Sequence, residues 1–216
     1  MNRTALARQI IDTCLAMTKL GLNQGTAGNV SVRYNDGMLI TPTGTPYEEM
    51  TEDSIVFVDK NGQHEAGKLP SSEWQFHLAC YEARADIGAV VHNHAANCAA
   101  VSILGQPIPP IHYMIACTGT DHVPCVPYAT FGTHQLADYV RDGIKQSKAI
   151  LLAHHGLIAV DKTLDKALSV AHEIEVIADW YLKLLATGKP IPTLSAEQMS
   201  VVLEKFKSYG SWVEEK

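Results

Sequence analysis

Asn29-Val30-Ser31-Val32-Arg33, then Asn35-Asp36-Gly37, then Met38-Leu39-Ile40, is the stretch that decides the fold class. The first five residues alternate apolar and polar as a half-buried strand does. Asn-Asp-Gly is a hairpin turn signal, and three apolar residues return. Upstream, Leu6, Ile10, Cys14 and Met17 recur at helical spacing and predict an amphipathic first helix that stops at Gly21. Downstream, Ile55–Val58 reads as a short strand, and Ser71-Ser72-Glu73 as a helix start followed by Trp74, His77, Leu78 and Tyr81 on one face. Ala89-Val90-Val91 is a buried strand running into His92-Asn93-His94, and a helix of small residues follows from about Ala95 to Ile103.

Val123 to Tyr128 reads as a strand interrupted by Pro124 and Pro127, and Thr133 to Ile144 as a helix. Ile150–Ala153 and Leu157–Val160 read as strands on either side of His154-His155-Gly156. Thr163 caps a long helix running to Gly188, and Ser195 with Gln198 forms a capping box for the last one. Strands and helices mix without strict βαβ alternation. The pattern predicts one α/β domain over residues 1–216, with an antiparallel or mixed sheet flanked by helices.

Composition narrows the function. A formal net charge of -6 disfavours a nucleic-acid partner, which needs a basic face. No apolar run approaches the ~18 residues of a membrane span, and the charged first helix does not read as a secretory signal. The five cysteines are odd in number, scattered and without a CxxC pair. They read as reduced thiols of a cytoplasmic protein.

His92 and His94 carry the strongest chemical signal. Residues two apart on a strand share a face, so both imidazoles can reach one ion. An isolated H-x-H is more often two unrelated histidines. A second pair, His154-His155, also follows an apolar strand, and two such placements favour a shared metal site. A carboxylate often completes such a site. Glu73 is the best candidate, although an acidic residue in a first helical turn is favoured by the helix dipole alone. Gly25–Asn29, Thr41–Thr45 and Ser71-Ser72 combine glycines, hydroxyls and a helix N-terminus, the makings of an anion nest. No nucleotide-binding glycine motif is present. No lysine stands in an apolar strand, which weakly favours a metal over an imine as the electron sink.

Gly25–Arg33 (GTAGNVSVR), Thr41–Tyr47 (TPTGTPY), Lys68–Glu73 (KLPSSE), Val90–His94 (VVHNH) and His154–Val160 (HHGLIAV) together resemble the class II aldolase and adducin family. The resemblance spans essentially the whole chain. It implies a three-layer α/β/α fold around a mainly antiparallel sheet and a zinc-dependent aldol cleavage of a sugar phosphate. It implies one Zn2+ per subunit on Glu73, His92, His94 and His155, with Glu73 also moving the proton. It implies a phosphate site formed by Thr26, Gly28, Asn29, Thr43, Gly44, Ser71 and Ser72. Tyr113 from a neighbouring subunit, Tyr209 and Phe131 would face the aldehyde, in a cytoplasmic homotetramer with sites at its interfaces. Cys117 to His122 departs from the family by being more polar than its small-residue loop. Rivals with the same resemblance are a sugar-phosphate epimerase, a dehydratase and a non-catalytic adducin-like domain.

Overall fold

The computed structural model describes residues 2–208. Seven strands form one sheet: β1 (Asn29–Tyr34), β2 (Gly37–Ile40), β3 (Val56–Asp59), β4 (Ala89–Asn93), β5 (Cys125–Val126), β6 (Ala149–Leu152) and β7 (Gly156–Asp161). Six α-helices accompany them: α1 (Arg3–Lys19), α2 (Trp74–Ala83), α3 (Ala96–Ile103), α4 (His134–Gly143), α5 (Leu164–Leu185) and α6 (Ala196–Phe206). The strand order is β3-β2-β1-β4-β7-β6-β5. Every neighbouring pair is antiparallel except β5 with β6.

Side chains two apart on a strand face the same side, and the two cores follow that rule. Val30, Val32, Val91, Leu151, Leu157 and Ala159 pack with Ile10 and Cys14 of α1, Val101 of α3 and Ile174 of α5. Val90, Ile150, Ile158 and Val160 point the other way, onto Phe76 and Cys80 of α2 and Leu136 and Val140 of α4. Helices therefore cover both faces. The hairpin read from the sequence is present, with Ser31 opposite Ile40 and Tyr34 opposite Gly37, and Asn35 in its turn at φ 51°.

Two expectations need correction. Of the strand expected over Val123–Tyr128, only Cys125–Val126 pairs. The proline carbonyl of Pro124 accepts from the Leu151 N–H at 2.7 Å, but Pro124 and Pro127 have no N–H to extend the ladder. The long helix ends at Leu185 rather than Gly188, unwinding through turns such as the Thr187 N–H to the Leu184 carbonyl. His154 and His155 lie in the turn between β6 and β7, and His154 has a left-handed φ of 56°. Tyr209 lies outside the described residues.

The polar segment Cys117 to His122 bonds within itself. The Thr118 hydroxyl donates to the Ile115 carbonyl at 2.8 Å and the Thr120 hydroxyl to the His122 carbonyl at 2.7 Å. Cys14, Cys80 and Cys98 are buried, and Cys117 and Cys125 are half-buried. Burial raises all five thiol pKa values, that of Cys117 to about 12, so the thiols stay protonated.

Two glycines flank the C-terminal end of β4. A Cβ on Gly28 would lie 2.7 Å from the His92 carbonyl oxygen, and one on Gly156 would lie 2.4 Å from the Asn93 carbonyl oxygen. Backbone cannot be displaced cheaply at either point, so β1 and β7 close on β4 only because these residues lack side chains. Gly156→Ala is expected to lower unfolding stability by about 1–3 kcal/mol. Chemical denaturation of the metal-free protein measures this, and an unchanged midpoint would mean that the strands part without cost.

Candidate metal centre and active-site cavity

Three strand ends meet at one place. Antiparallel pairing sets Asn29 of β1 opposite His92, and His92 and Asn93 of β4 opposite Ile158 and Leu157 of β7. His94, just past the end of β4, and His155, just before the start of β7, are thereby brought together. His92 Nε2 lies 3.0 Å from His94 Nε2, and the His94 and His155 ring centroids are 4.8 Å apart. His92 Nδ1 is 2.9 Å from the Leu157 carbonyl. A carbonyl only accepts, so Nδ1 carries the proton and Nε2 keeps a free lone pair aimed at the other imidazoles.

Glu73 arrives from a different element. It is the N-cap of α2 rather than a first-turn residue, with φ -106° and ψ 14°, and its side chain makes no cap hydrogen bond. It turns instead toward the histidines, with Oε2 at 3.3 Å from His92 Nε2 and Oε1 at 3.1 Å from His155 Nε2. Asn29 Nδ2 donates to Oε2 at 2.8 Å. Oε1 is buried and makes no hydrogen bond of acceptable geometry. Burial opposes ionisation of Glu73, but the imidazoles of His92 and His155 outweigh it and hold the carboxyl well below the usual range. Burial, reinforced by His92 and His155 and opposed by Glu73, pulls His94 down to about 4, so its ring is neutral near pH 7.

The ligand atoms of Glu73, His92, His94 and His155 all lie within 4.8 Å of one another. Three neutral-capable imidazoles, one carboxylate and an orphaned buried oxygen fit a divalent cation of the zinc type. Each first-choice donor is nitrogen or oxygen, and the arrangement opens on a cavity where a substrate oxygen could complete the shell.

That cavity has a volume of about 390 Å³. Glu73, His94 and His155 stand on its wall together with Thr26, Gly28, Asn29, Thr43, Gly44, Ser71, Ser72 and Phe131. The structure thus brings together every candidate named from the sequence except Tyr113 and Tyr209, which is not described; His92 joins the ligand cluster from behind the wall, wholly buried. Tyr113 is 48% exposed in a 3₁₀ turn, beside the His112 ring, and does not line the cavity of its own chain. No lysine or arginine is among the described residues of the wall. The polar groups offered here are backbone N–H groups and hydroxyls, with Gly44 at φ 63° in one of the turns.

Sequence reading did not assign Tyr128, Ala129 or His154 to the wall. Tyr128 and His154 also face the cavity, their rings 6.1 Å apart in an edge-on contact. Tyr128 left no signal beyond its place after Pro127. His154 was visible as half of a pair, and only the turn shows that it reaches the wall without joining the ligand cluster.

The sequence profile described as "Class II Aldolase and Adducin N-terminal domain" matches residues 8–182. The L-fuculose phosphate aldolase of Haemophilus influenzae is 68% identical over 215 residues, covering 100% of both chains. A 5-methylthioribulose-1-phosphate/5-deoxyribulose-1-phosphate aldolase of Escherichia coli O45:K1 is 56% identical, covering 97% of this chain and 99% of that one. Among solved structures, an L-fuculose 1-phosphate aldolase superposes with a TM-score of 0.91 at 36% identity, covering 96% of this chain and 98% of the other. On this profile match, the full-length likeness and the shared architecture, the chain belongs to the class II aldolase and adducin family.

Proposed function

We propose that this protein catalyses the reversible aldol cleavage of L-fuculose 1-phosphate to dihydroxyacetone phosphate and L-lactaldehyde, with zinc on Glu73, His92, His94 and His155. One observation carries the reading: four convergent metal-ligand atoms, three of them on residues of the cavity wall, adjoin a cradle of backbone and hydroxyl groups without a cationic side chain. The full-length likeness to aldolases named for this substrate supports the choice of sugar phosphate. It favours an aldolase over an epimerase, a dehydratase or a scaffold domain.

A divalent ion held there supplies Lewis acidity toward the hydroxyl and carbonyl oxygens of the ketose phosphate. The chain's own groups do the rest. Thr26, Gly28, Asn29, Thr43, Gly44, Ser71 and Ser72 hold the phosphate, which fixes the sugar's position relative to Glu73. Glu73 delivers a proton to the carbon released by cleavage and removes it in the reverse direction. The aldehyde half faces Phe131, which is 62% exposed at the cavity rim, and Tyr113 from a neighbouring subunit supplies a proton to the aldehyde oxygen. A homotetramer with interfacial sites, working in the cytoplasm, accounts for large aromatic rings left exposed at the rim and at Tyr113.

Three outcomes are expected. EDTA abolishes activity, Zn2+ restores it, and borohydride added with substrate leaves the enzyme active; inactivation that requires both borohydride and substrate would indicate an imine instead. Glu73→Gln loses turnover by about 10²-fold or more while three imidazoles still hold metal; near-normal exchange of the dihydroxyacetone phosphate C–H proton in this variant would remove Glu73 from the proton step. His155→Ala strips metal and activity together, whereas His154→Ala retains metal, because the turn directs only His155 into the cluster. Metal content of the two purified variants decides the point, and the reverse order would refute the ligand assignment.

A further inference from the structure

A line of buried polar groups runs away from the metal centre through the apolar layer between the sheet and α2. Glu73 Oε2 accepts from Asn29 Nδ2 at 2.8 Å, and Asn29 Oδ1 lies 2.5 Å from His77 Nε2. His77 Nδ1 lies 2.7 Å from Ser31 Oγ, and Ser31 Oγ lies 2.8 Å from the Tyr81 hydroxyl. Asn29, Ser31, His77 and Tyr81 are all buried, with His77 and Ser31 wholly inaccessible. The spacing explains the line. Asn29 and Ser31 are two apart on β1 and share a face, while Glu73, His77 and Tyr81 step along α2 four residues at a time.

We infer that His77 is a positioning residue for Glu73, acting through Asn29, whose amide orientation it fixes. The inference rests on the reading of Glu73 as the group that moves the proton. The polarity of the line follows from its first member. An ionised carboxylate only accepts, so Asn29 must present Nδ2 to Glu73 and Oδ1 to His77. His77 Nε2 must then carry the proton, and Nδ1 must accept from the Ser31 hydroxyl. Ser31, having donated, accepts from Tyr81. Each step leaves one choice, and reversing any of them sets two acceptors or two donors against each other. If Asn29 turned over, its oxygen would face the Glu73 carboxylate, and the His77 N–H would lose its acceptor. The ring is suited to this single-donor part, because burial draws its pKa down to about 3, helped by His92 and opposed by Glu73. The stacked Phe76 ring, 4.9 Å away centroid to centroid, holds the imidazole plane.

A histidine that merely fills the core would have no effect on the proton step, and this gives the test. Long-range ¹⁵N–¹H correlation on the full-length protein, with and without zinc, is expected to show His77 as the neutral Nε2–H tautomer at pH 7. His77→Leu is expected to lower kcat about tenfold or more at full zinc occupancy, with the rise in KM for the ketose phosphate, which Asn29 also meets, smaller than the loss in kcat. His77→Gln keeps an amide N–H for Asn29 and is expected to recover most of the loss. An Nδ1–H tautomer or a protonated ring would overturn the inference. So would an unchanged kcat in His77→Leu, or an equal loss in the leucine and glutamine variants. If His77→Leu does not fold, His77→Phe, which keeps a ring against Phe76 but has no N–H for Asn29, takes its place. Glu73→Gln serves as the control: if it keeps full turnover, the general-base reading has failed, whereas if it is inactive while His77→Leu is not, only the role of His77 has failed.

Discussion

The antiparallel register between β4 and β7 is the constraint on which the rest of this structure hangs. Because His92 pairs with Ile158 and Asn93 with Leu157, the residue after one strand and the residue before the other meet at the same edge of the sheet. A slip of one residue would turn His92 from one face to the other and separate it from His94 and His155. The same register delivers the Leu157 carbonyl to His92 Nδ1, so the sheet sets the protonation pattern of an imidazole as well as its place. Gly28 and Gly156 allow this edge to be as tight as it is, one on each side of β4.

Against that fixed edge, α2 brings the only carboxylate of the cluster. A residue at an N-cap position ordinarily turns its side chain back onto the helix's free N–H groups. Glu73 does not, and the Ser71 hydroxyl accepts from the Glu73 N–H instead, at 3.3 Å. The carboxylate is thus released from capping and made available to the imidazoles. The helix that supplies it also supplies His77 four residues on, so one rigid element carries both the carboxylate and the ring bonded to Asn29. Catalytic groups held in this way need little rearrangement when substrate arrives, which is the main source of electrostatic rate enhancement in closed sites.

The sequence made much of this visible, and the limits are instructive. The hairpin at Asn29–Ile40 was legible because turn chemistry and alternation act locally, and so were the caps at Thr163 and Ser195, where side chains bond within three residues. His92 and His94 were legible as a pair because strand periodicity is also local. His154 and His155 were legible as a pair, but which of them points inward depended on a left-handed turn residue that only glycine, asparagine or aspartate would have announced. Glu73 could not be told from an ordinary helix-start acid without its histidines, which lie at strand ends distant in sequence. His77 was read as one more member of a helix face, since its partners on β1 are 46 and 48 residues away. Long-range pairing of polar groups leaves no periodic mark on a sequence.

The five cysteines acquire a different meaning beside this centre. Thiolate sulfur is the softest and often the tightest zinc ligand that a protein offers. In the unfolded chain all five are open to an ion, alongside the ten histidines of the sequence. Folding buries three, half-buries two and keeps every one protonated, while leaving imidazole nitrogens gathered around an open position. The fold therefore acts as a filter on coordination chemistry. It withdraws the competing soft donors before it presents the intended ones, and the identity of the shell is settled by what packing hides as much as by what it exposes.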